Sequence, residues 1–386
     1  MAAAPVATER PDTPDEAAEL LRGLGEQGRA VRVRGGGTKS GWAWGGEPVE
    51  LEILTAGLGR VVEHNEGDFT AVLEAGVPLA RAQTVFAGGS QMLALDPPLG
   101  AADAATIGGV LAAADSGPLR HRYGTLRDLV VGVTVALSDG SLAKAGGRVI
   151  KNVAGYDLGK LFHGSFGTLG LVVSVAVRLH PRPEQTATAV GASPDPARLA
   201  AAVGRLARLP LEADCLDVAW DGEGGRVLVQ FGGAAADRQA AAVEDRLRGA
   251  GLEDVRSSAD DVELWQAQRN GQRSVDGALV KVAARPADLG AVLTAARDAG
   301  ATAVGRAALG ISWLTLDGDD LSGRVQALRA ELAPRACTVL DAPEAVRGAC
   351  EPWPDPDPGA LAVMRRVKER FDPARIFRPG AFVGGI

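Results

Sequence analysis

The sequence predicts an α+β protein of two domains, on three observations. Short β-prone runs broken by glycine turns fill residues 30–179. The prolines Pro181 and Pro183 interrupt the chain, and helix-like and strand-like runs alternate beyond them. The 386 residues, 46% of them hydrophobic, suffice for two cores, and the 51 glycines follow no collagen-like period. The expected boundaries are 1–183 and 184–345 for the two domains, with 346–386 as a C-terminal segment.

Residues 15–24 have helical periodicity, acids in the first turn and glycine at the end. A strand over 30–34 runs straight into Gly35-Gly36-Gly37. Further strands are expected at 49–54 and at 70–74, the second after the turn residues Glu66-Gly67-Asp68, and a helix at 79–86. Residues 129–137 are strongly β-prone and close on Ser138-Asp139-Gly140-Ser141, a hairpin signal because Asp-Gly accepts positive φ. The strand at 171–179 stops at His180-Pro181-Arg182-Pro183, which places the domain boundary. Helices at 196–208, 237–248 and 286–299 then alternate with strands at 227–231, 278–283 and 311–316, suggesting a sheet covered by helices on one face. Residues 351–358, every second one a proline from Pro352, read as a stiff linker to a last helix at 359–371. No tandem repeat is visible in the sequence.

The net charge of −7, with no lysine- and arginine-rich stripe, excludes a nucleic-acid footprint. Cys215, Cys337 and Cys350 lie far apart, without the paired spacing of zinc, iron–sulfur or disulfide sites, and read as reduced thiols of a cytoplasmic protein. The first ten residues carry neither a basic leader nor an apolar core, and no apolar run reaches the ~20 residues of a spanning helix. Peripheral membrane attachment through a partner stays open.

Gly23-Leu24-Gly25-Glu26-Gln27-Gly28 spells a dinucleotide fingerprint, but its glycines end a helix and precede a strand, the reverse of what that fingerprint requires. Ser116, in Asp115-Ser116-Gly117, has no supporting geometry for a nucleophile, even with His64 or His121 as base. The loop Arg34-Gly35-Gly36-Gly37-Thr38 is more informative, since successive glycine N–H groups make a nest for phosphate oxygens; a plain surface turn fits it equally well alone. It is followed in order by Leu95-Asp96-Pro97-Pro98, Thr106-Ile107-Gly108-Gly109, Ser116-Gly117, Arg122-Tyr123-Gly124 and Asp128, and by a third block running from Lys151 to Gly170.

Through these blocks the sequence resembles the flavoproteins with an FAD-binding domain of the vanillyl-alcohol oxidase and p-cresol methylhydroxylase (PCMH) type. Within that family it looks most like the smaller FAD-binding subunit of bacterial glycolate oxidases. The resemblance runs over 5–183 and returns at Phe371-Asp372-Pro373-Ala374-Arg375-Ile376-Phe377-Arg378-Pro379-Gly380. It implies a PCMH-type FAD domain of two subdomains, a ferredoxin-like α+β cap, and a C-terminal segment returning to the FAD domain. It further implies that Arg34, Gly35, Gly36, Gly37, Thr38, Thr106, Gly108 and Gly109 hold the FAD pyrophosphate. Pro98, Ser116, Gly117, Tyr123, Gly124 and Asp128 would line its path, with Gly170 and Val172 near adenine or ribose. Where some relatives carry a flavin-linking histidine, this chain has Thr38, so FAD is expected to be non-covalent. Phe166 and Ala114 stand where many relatives have glutamate and asparagine.

Oxidation of a 2-hydroxy acid would need a base and a cation from the second domain or the tail, and Lys281, Arg285, Arg306 and Arg378 are the candidates, each more often simply a solvated charge. All four histidines, His64, His121, His163 and His180, precede residue 184, so the histidine-rich metal site of larger relatives is not expected, nor a histidine base on the second domain. The leading expectation is an FAD-binding redox subunit of a glycolate-oxidase-like complex, with a larger flavoprotein and an iron–sulfur subunit as partners. The alternatives are a stand-alone FAD-dependent hydroxy-acid or alcohol dehydrogenase and a non-catalytic FAD-binding assembly subunit.

Overall fold

In the computed structural model, residues 6–147 and 158–386 are described; the stretch from Lys151 to Asp157, with Tyr156, lies outside them. A small parallel sheet, in the order β1-β3-β2, holds β1 (Ala7–Glu9), β2 (Val31–Arg34) and β3 (Leu51–Leu54). The helix Pro14–Gln27 leads into it. The Thr13 side chain accepts from Glu16 N–H at its start, and Gly28, in the left-handed region at φ 63°, closes it. The dinucleotide-like glycines thus end a helix. Gly25 has a further use, since a Cβ there would collide with the carbonyl of Ser138, where the helix meets a hairpin of the next sheet.

That next sheet is antiparallel, in the order β4-β5-β9-β7-β8. It is built from β4 (Val61–Asn65), β5 (Thr70–Glu74), β7 (Val130–Ala136), β8 (Leu142–Gly146) and β9 (Leu171–Arg178). Between them, β6 (Gln91–Met92) pairs with β10 (His180–Pro181), just before the chain leaves this region. Leu73, Phe86, Ile107, Leu111, Val133 and Val175 form the core under this sheet. The C-terminal helix Pro358–Phe371 packs here through Phe371, whose ring stands edge-on to Phe162 at 5.6 Å. The tail then bonds to the first sheet: Val31 N–H donates to Ile376 O at 2.7 Å and Arg378 N–H to Val31 O at 3.0 Å.

Residues 186–339 build one eight-stranded sheet. Its first half is β11 (Thr186–Ser193), helix Pro196–Leu206, β12 (Cys215–Trp220), β13 (Gly225–Gly232), helix Ala236–Gly249 and β14 (Glu253–Ser258). The second half repeats that succession as β15 (Ala278–Ala283), helix Leu289–Asp298, β16 (Thr302–Arg306), β17 (Ile311–Leu316), helix Leu321–Leu332 and β18 (Ala336–Val339). The order β14-β11-β13-β12-β16-β17-β15-β18 therefore contains two ferredoxin-like units joined edge to edge through β12 and β16. The expected ferredoxin-like topology is present, and it is doubled. The absence of a sequence repeat conceals this, because the halves share backbone topology rather than residues. Four helices cover one face, with Leu199, Phe231, Val243, Leu293 and Leu328 in the core between. The other face is turned toward the N-terminal half and carries Asp217, Arg306, Lys281 and Trp313.

Candidate functional site

A cleft of about 840 Å³, its open mouth included, lies between the loop after β2 and the helix Ile107–Ala113. Its walls include Arg34 to Ser40, Thr106, Gly108, Gly109, Gly170 and Val172, and Arg378 stands at its edge. Two glycines let its walls meet: a Cβ on Gly35 would strike the Thr106 hydroxyl, and one on Gly36 would occupy the carbonyl of Ala104. The backbone N–H groups of Gly36, Gly37, Thr38 and Lys39 find no acceptor among the described residues. Thr106 caps the helix by accepting from Gly109 N–H at 3.2 Å. Four cations surround this backbone. Arg32 and Arg34 share the buried Glu52, at 2.5 and 3.0 Å. Lys39 pairs with buried Asp115 at 3.0 Å. Arg378 donates to the carbonyls of Phe166, Trp42 and Ala43, and burial together with nearby Arg32 pushes its pKa down to about 10.

At the inner end the cleft meets the eight-stranded sheet. Ala113 and Phe166, on the cleft wall, belong to one apolar cluster with Trp42, Leu279 and Trp313, and the Lys281 ammonium stands 5.7 Å from the Trp313 ring. Lys281 has no hydrogen-bond or carboxylate partner among the described residues; burial, then neighbouring Arg120, lowers its pKa, while Asp115 opposes the shift. His163 Nε2 is buried without a partner among the described residues, and burial reinforced by Arg120, Arg127 and Lys281 takes that imidazole down to about 4. A polar network closes the contact below. Gln272 donates to Ser116 O at 2.8 Å, Arg120 to Ser116 Oγ at 3.3 Å, and Arg306 reaches both Asp217 and Gln272. Burial raises Asp96 to about 6 even though Arg269 lies 3.6 Å away. Arg273 ties the two halves together: it donates to Thr38 O at 2.7 Å and pairs with Asp341, which also accepts from Trp42.

A glycine-walled cleft with free backbone donors and surrounding cations fits a diphosphate bearing a flat ring system. Comparison with known proteins decides which. Residues 5–146 match the model of the FAD binding domain, and residues 355–382 match that of the FAD linked oxidases, C-terminal domain. The chain thus carries an FAD binding domain of the kind found in FAD-linked oxidases. It is 27% identical to an uncharacterized FAD-linked oxidoreductase of Mycobacterium tuberculosis over 98% of this chain and 91% of that one. It is 34% identical to the glycolate oxidase subunit GlcE of Escherichia coli over 36% of this chain and 39% of that protein. The D-2-hydroxyglutarate dehydrogenase of Rattus norvegicus is 35% identical over 45% of this chain and 32% of its own length. These last two likenesses thus each cover less than half of either chain. In fold, a solved alkyldihydroxyacetonephosphate synthase overlays with a TM-score of 0.71 over 96% of this chain and 75% of that one, at 16% identity.

The cofactor of this FAD-linked oxidoreductase is FAD, and the structure sorts the residues expected to touch it. Arg34, Gly35, Gly36, Gly37, Thr38, Thr106, Gly108, Gly109, Gly170, Val172 and Arg378 come together in one cleft. Six others are not on its walls. Pro98 is buried. Ser116 belongs to the interdomain network, and Gly117 is pressed against Asp96, whose carbonyl a Cβ would strike. Gly124 faces the carboxyl of Asp128, which caps a short turn by accepting from Thr125. Tyr123 stacks edge-on to His180 at 4.8 Å in a separate cavity. Arg285 is exposed and pairs with Asp288, away from the cleft, and Arg306 is fully buried on Asp217. Sequence reasoning missed Arg32 and Lys39. The alternation Arg32-Val33-Arg34 carried a signal for the first, since period-two spacing puts both arginines on one face of β2.

Proposed function

We propose that this chain is the FAD-binding redox subunit of a glycolate-oxidase-like complex and oxidises a small 2-hydroxy acid at the inner end of the cleft. One observation carries the substrate class: Lys281, a half-buried ammonium with no ion-pair partner among the described residues, stands near Arg120 where the cleft wall meets the second sheet. Two partly desolvated cations with no ion-pair partner among the described residues call for an anionic substrate group. Lys281 and Arg120 pair with the substrate carboxylate and so orient the hydroxyl-bearing carbon. His163, unprotonated over the physiological range, takes the hydroxyl proton at Nε2, and the incoming carboxylate raises its proton affinity. Bound FAD supplies the two-electron acceptor. With Thr38 in the first loop, the cleft holds FAD by hydrogen bonds and charge rather than by a covalent link. The E. coli likeness to a glycolate oxidase subunit supports membership of a complex, as does the lack of cluster-type cysteine spacing in this chain, which leaves iron–sulfur transfer to a partner.

Anaerobic mixing of the flavin-loaded chain with glycolate and with D-lactate tests this reading. The flavin band at ~450 nm bleaches with at least one of them, and Lys281→Met raises the half-saturating concentration tenfold or more. No bleaching with either acid favours an electron relay or scaffold, and unchanged saturation in Lys281→Met removes Lys281 from the substrate site.

A further inference from the structure

A second cavity, with an open volume of about 960 Å³, shares no lining residue with the FAD cleft. It sits where β9 and β10 hand the chain over to the eight-stranded sheet, and the charged and aromatic groups on its wall are Arg122, Arg178, Arg182, His180, Tyr123 and Asp214. Three guanidiniums therefore face one carboxylate. That carboxylate is already engaged: Asp214 pairs with Arg122 at 3.1 Å and receives the Tyr123 hydroxyl. Arg178 has no acid partner among the described residues. Its Nη2 lies 3.3 Å from His180 Nε2, and its Nε is buried without an acceptor. The Arg182 side chain is exposed and likewise lacks a partner among them. His180 reports the same excess of positive charge, since burial, Arg178 and Arg122 all lower its pKa.

We propose that this cavity is a binding site for a compact oxyanion of two negative charges, carried by a phosphate monoester or by a dicarboxylate. Planar guanidiniums match either group in paired hydrogen bonds, and two of the three have no acid partner among the described residues. The ligand sits between Arg178 and Arg182, with the His180 ring closing one side. Arg122 and Tyr123 come from the FAD-binding half, whereas Asp214, Gly232 and Gly233 come from the part beyond the connection Pro181-Arg182-Pro183. A ligand held there bridges both halves, so it acts as an effector of their relative fit and not as the substrate. This inference is independent of the reaction proposed above.

The test is calorimetric titration of the flavin-loaded full chain at low ionic strength, with inorganic phosphate in one arm and succinate in the other. Saturable one-to-one binding is expected in at least one arm. Phosphate alone identifies a phosphate-bearing ligand, and succinate alone a dicarboxylate. Arg182→Ala and Arg178→Gln each weaken binding at least tenfold, while Lys281→Met, at the cleft end, leaves it unchanged. The bound anion also raises the melting temperature of the native chain, and Arg182→Ala, whose exposed side chain makes no hydrogen bond or ion pair among the described residues, keeps the flavin spectrum but loses that rise. The proposal is overturned when neither anion saturates, or when both arginine variants bind as tightly as the native chain.

Discussion

Gly36 and Gly37 are neighbours in one loop, yet they are glycine for different reasons. At Gly36 a Cβ would lie inside the Ala104 carbonyl, so even alanine must push the two walls of the cleft apart. Gly37 has φ 74°, and its Cβ would meet nothing closer than Arg34 and Ser40 side-chain atoms at 3.6 Å. Alanine there costs about 1 kcal/mol for the left-handed backbone and leaves the cleft open. Gly36→Ala is therefore expected to purify with little or no flavin and a melting temperature lowered by several degrees, whereas Gly37→Ala keeps most of its flavin. Equal flavin content in the two variants, read from absorbance against protein, would refute this division. The sequence showed three glycines in a row as a possible phosphate nest. It could not show that the middle one serves packing, because Ala104 comes from a segment 68 positions further on that only the fold brings alongside.

At the scale of elements, legibility followed hydrophobic pattern. Residues 70–74, 278–283 and 311–316, rich in apolar and β-branched side chains, match β5, β15 and β17 to the residue. Strands with mixed polarity were missed. In β12, Asp217 breaks an otherwise apolar run because it pairs with Arg306 of the neighbouring strand β16, and β14 (Glu253-Asp254-Val255-Arg256-Ser257-Ser258) is a polar edge strand. The joining of two ferredoxin-like units was invisible for the same reason: β12 and β16 meet through backbone bonds and one buried ion pair, neither of which has a periodic signature. The link between the units and the FAD loop was equally hidden. Arg273 holds Thr38 O and the bidentate carboxylate of Asp341 while its guanidinium lies 5.3 Å from the Trp42 ring. Arg273→Met should leave each half folded but loosen the loop, weakening FAD about tenfold and costing about 2 kcal/mol, discounted for partial exposure of the pair. A double-mutant cycle with Trp42→Phe should show coupling above ~0.5 kcal/mol; an unchanged FAD affinity would mean that the latch is decorative.

For the whole molecule, two buried groups on the interdomain contact set opposite responses to acid. Asp96, raised from 3.8 to about 6 chiefly by burial against the partial relief of Arg269, Arg306 and the Leu119 N–H, binds its proton more tightly folded than unfolded. Its contribution to stability is complete below pH ~4 and is lost as pH rises through 6. His163, lowered from 6.5 to about 4 by burial and by Arg120, Arg127 and Lys281, with Asp128 opposing, binds its proton less tightly when folded. Its contribution is complete above pH ~6.5 and is lost as pH falls through 4. Each gap amounts to at most about 3 kcal/mol. Because the two windows overlap with opposite sign, their effects nearly cancel between pH 4 and 6. Removing either group should expose the other: relative to the native chain, Asp96→Asn loses stability on acidification from pH 6.5, and His163→Asn gains it. Urea midpoints of the three proteins at pH 4, 5, 6 and 7 measure both slopes. Parallel curves for all three would show that neither group keeps its shifted proton affinity in the folded chain, and would place the polar network in contact with bulk water.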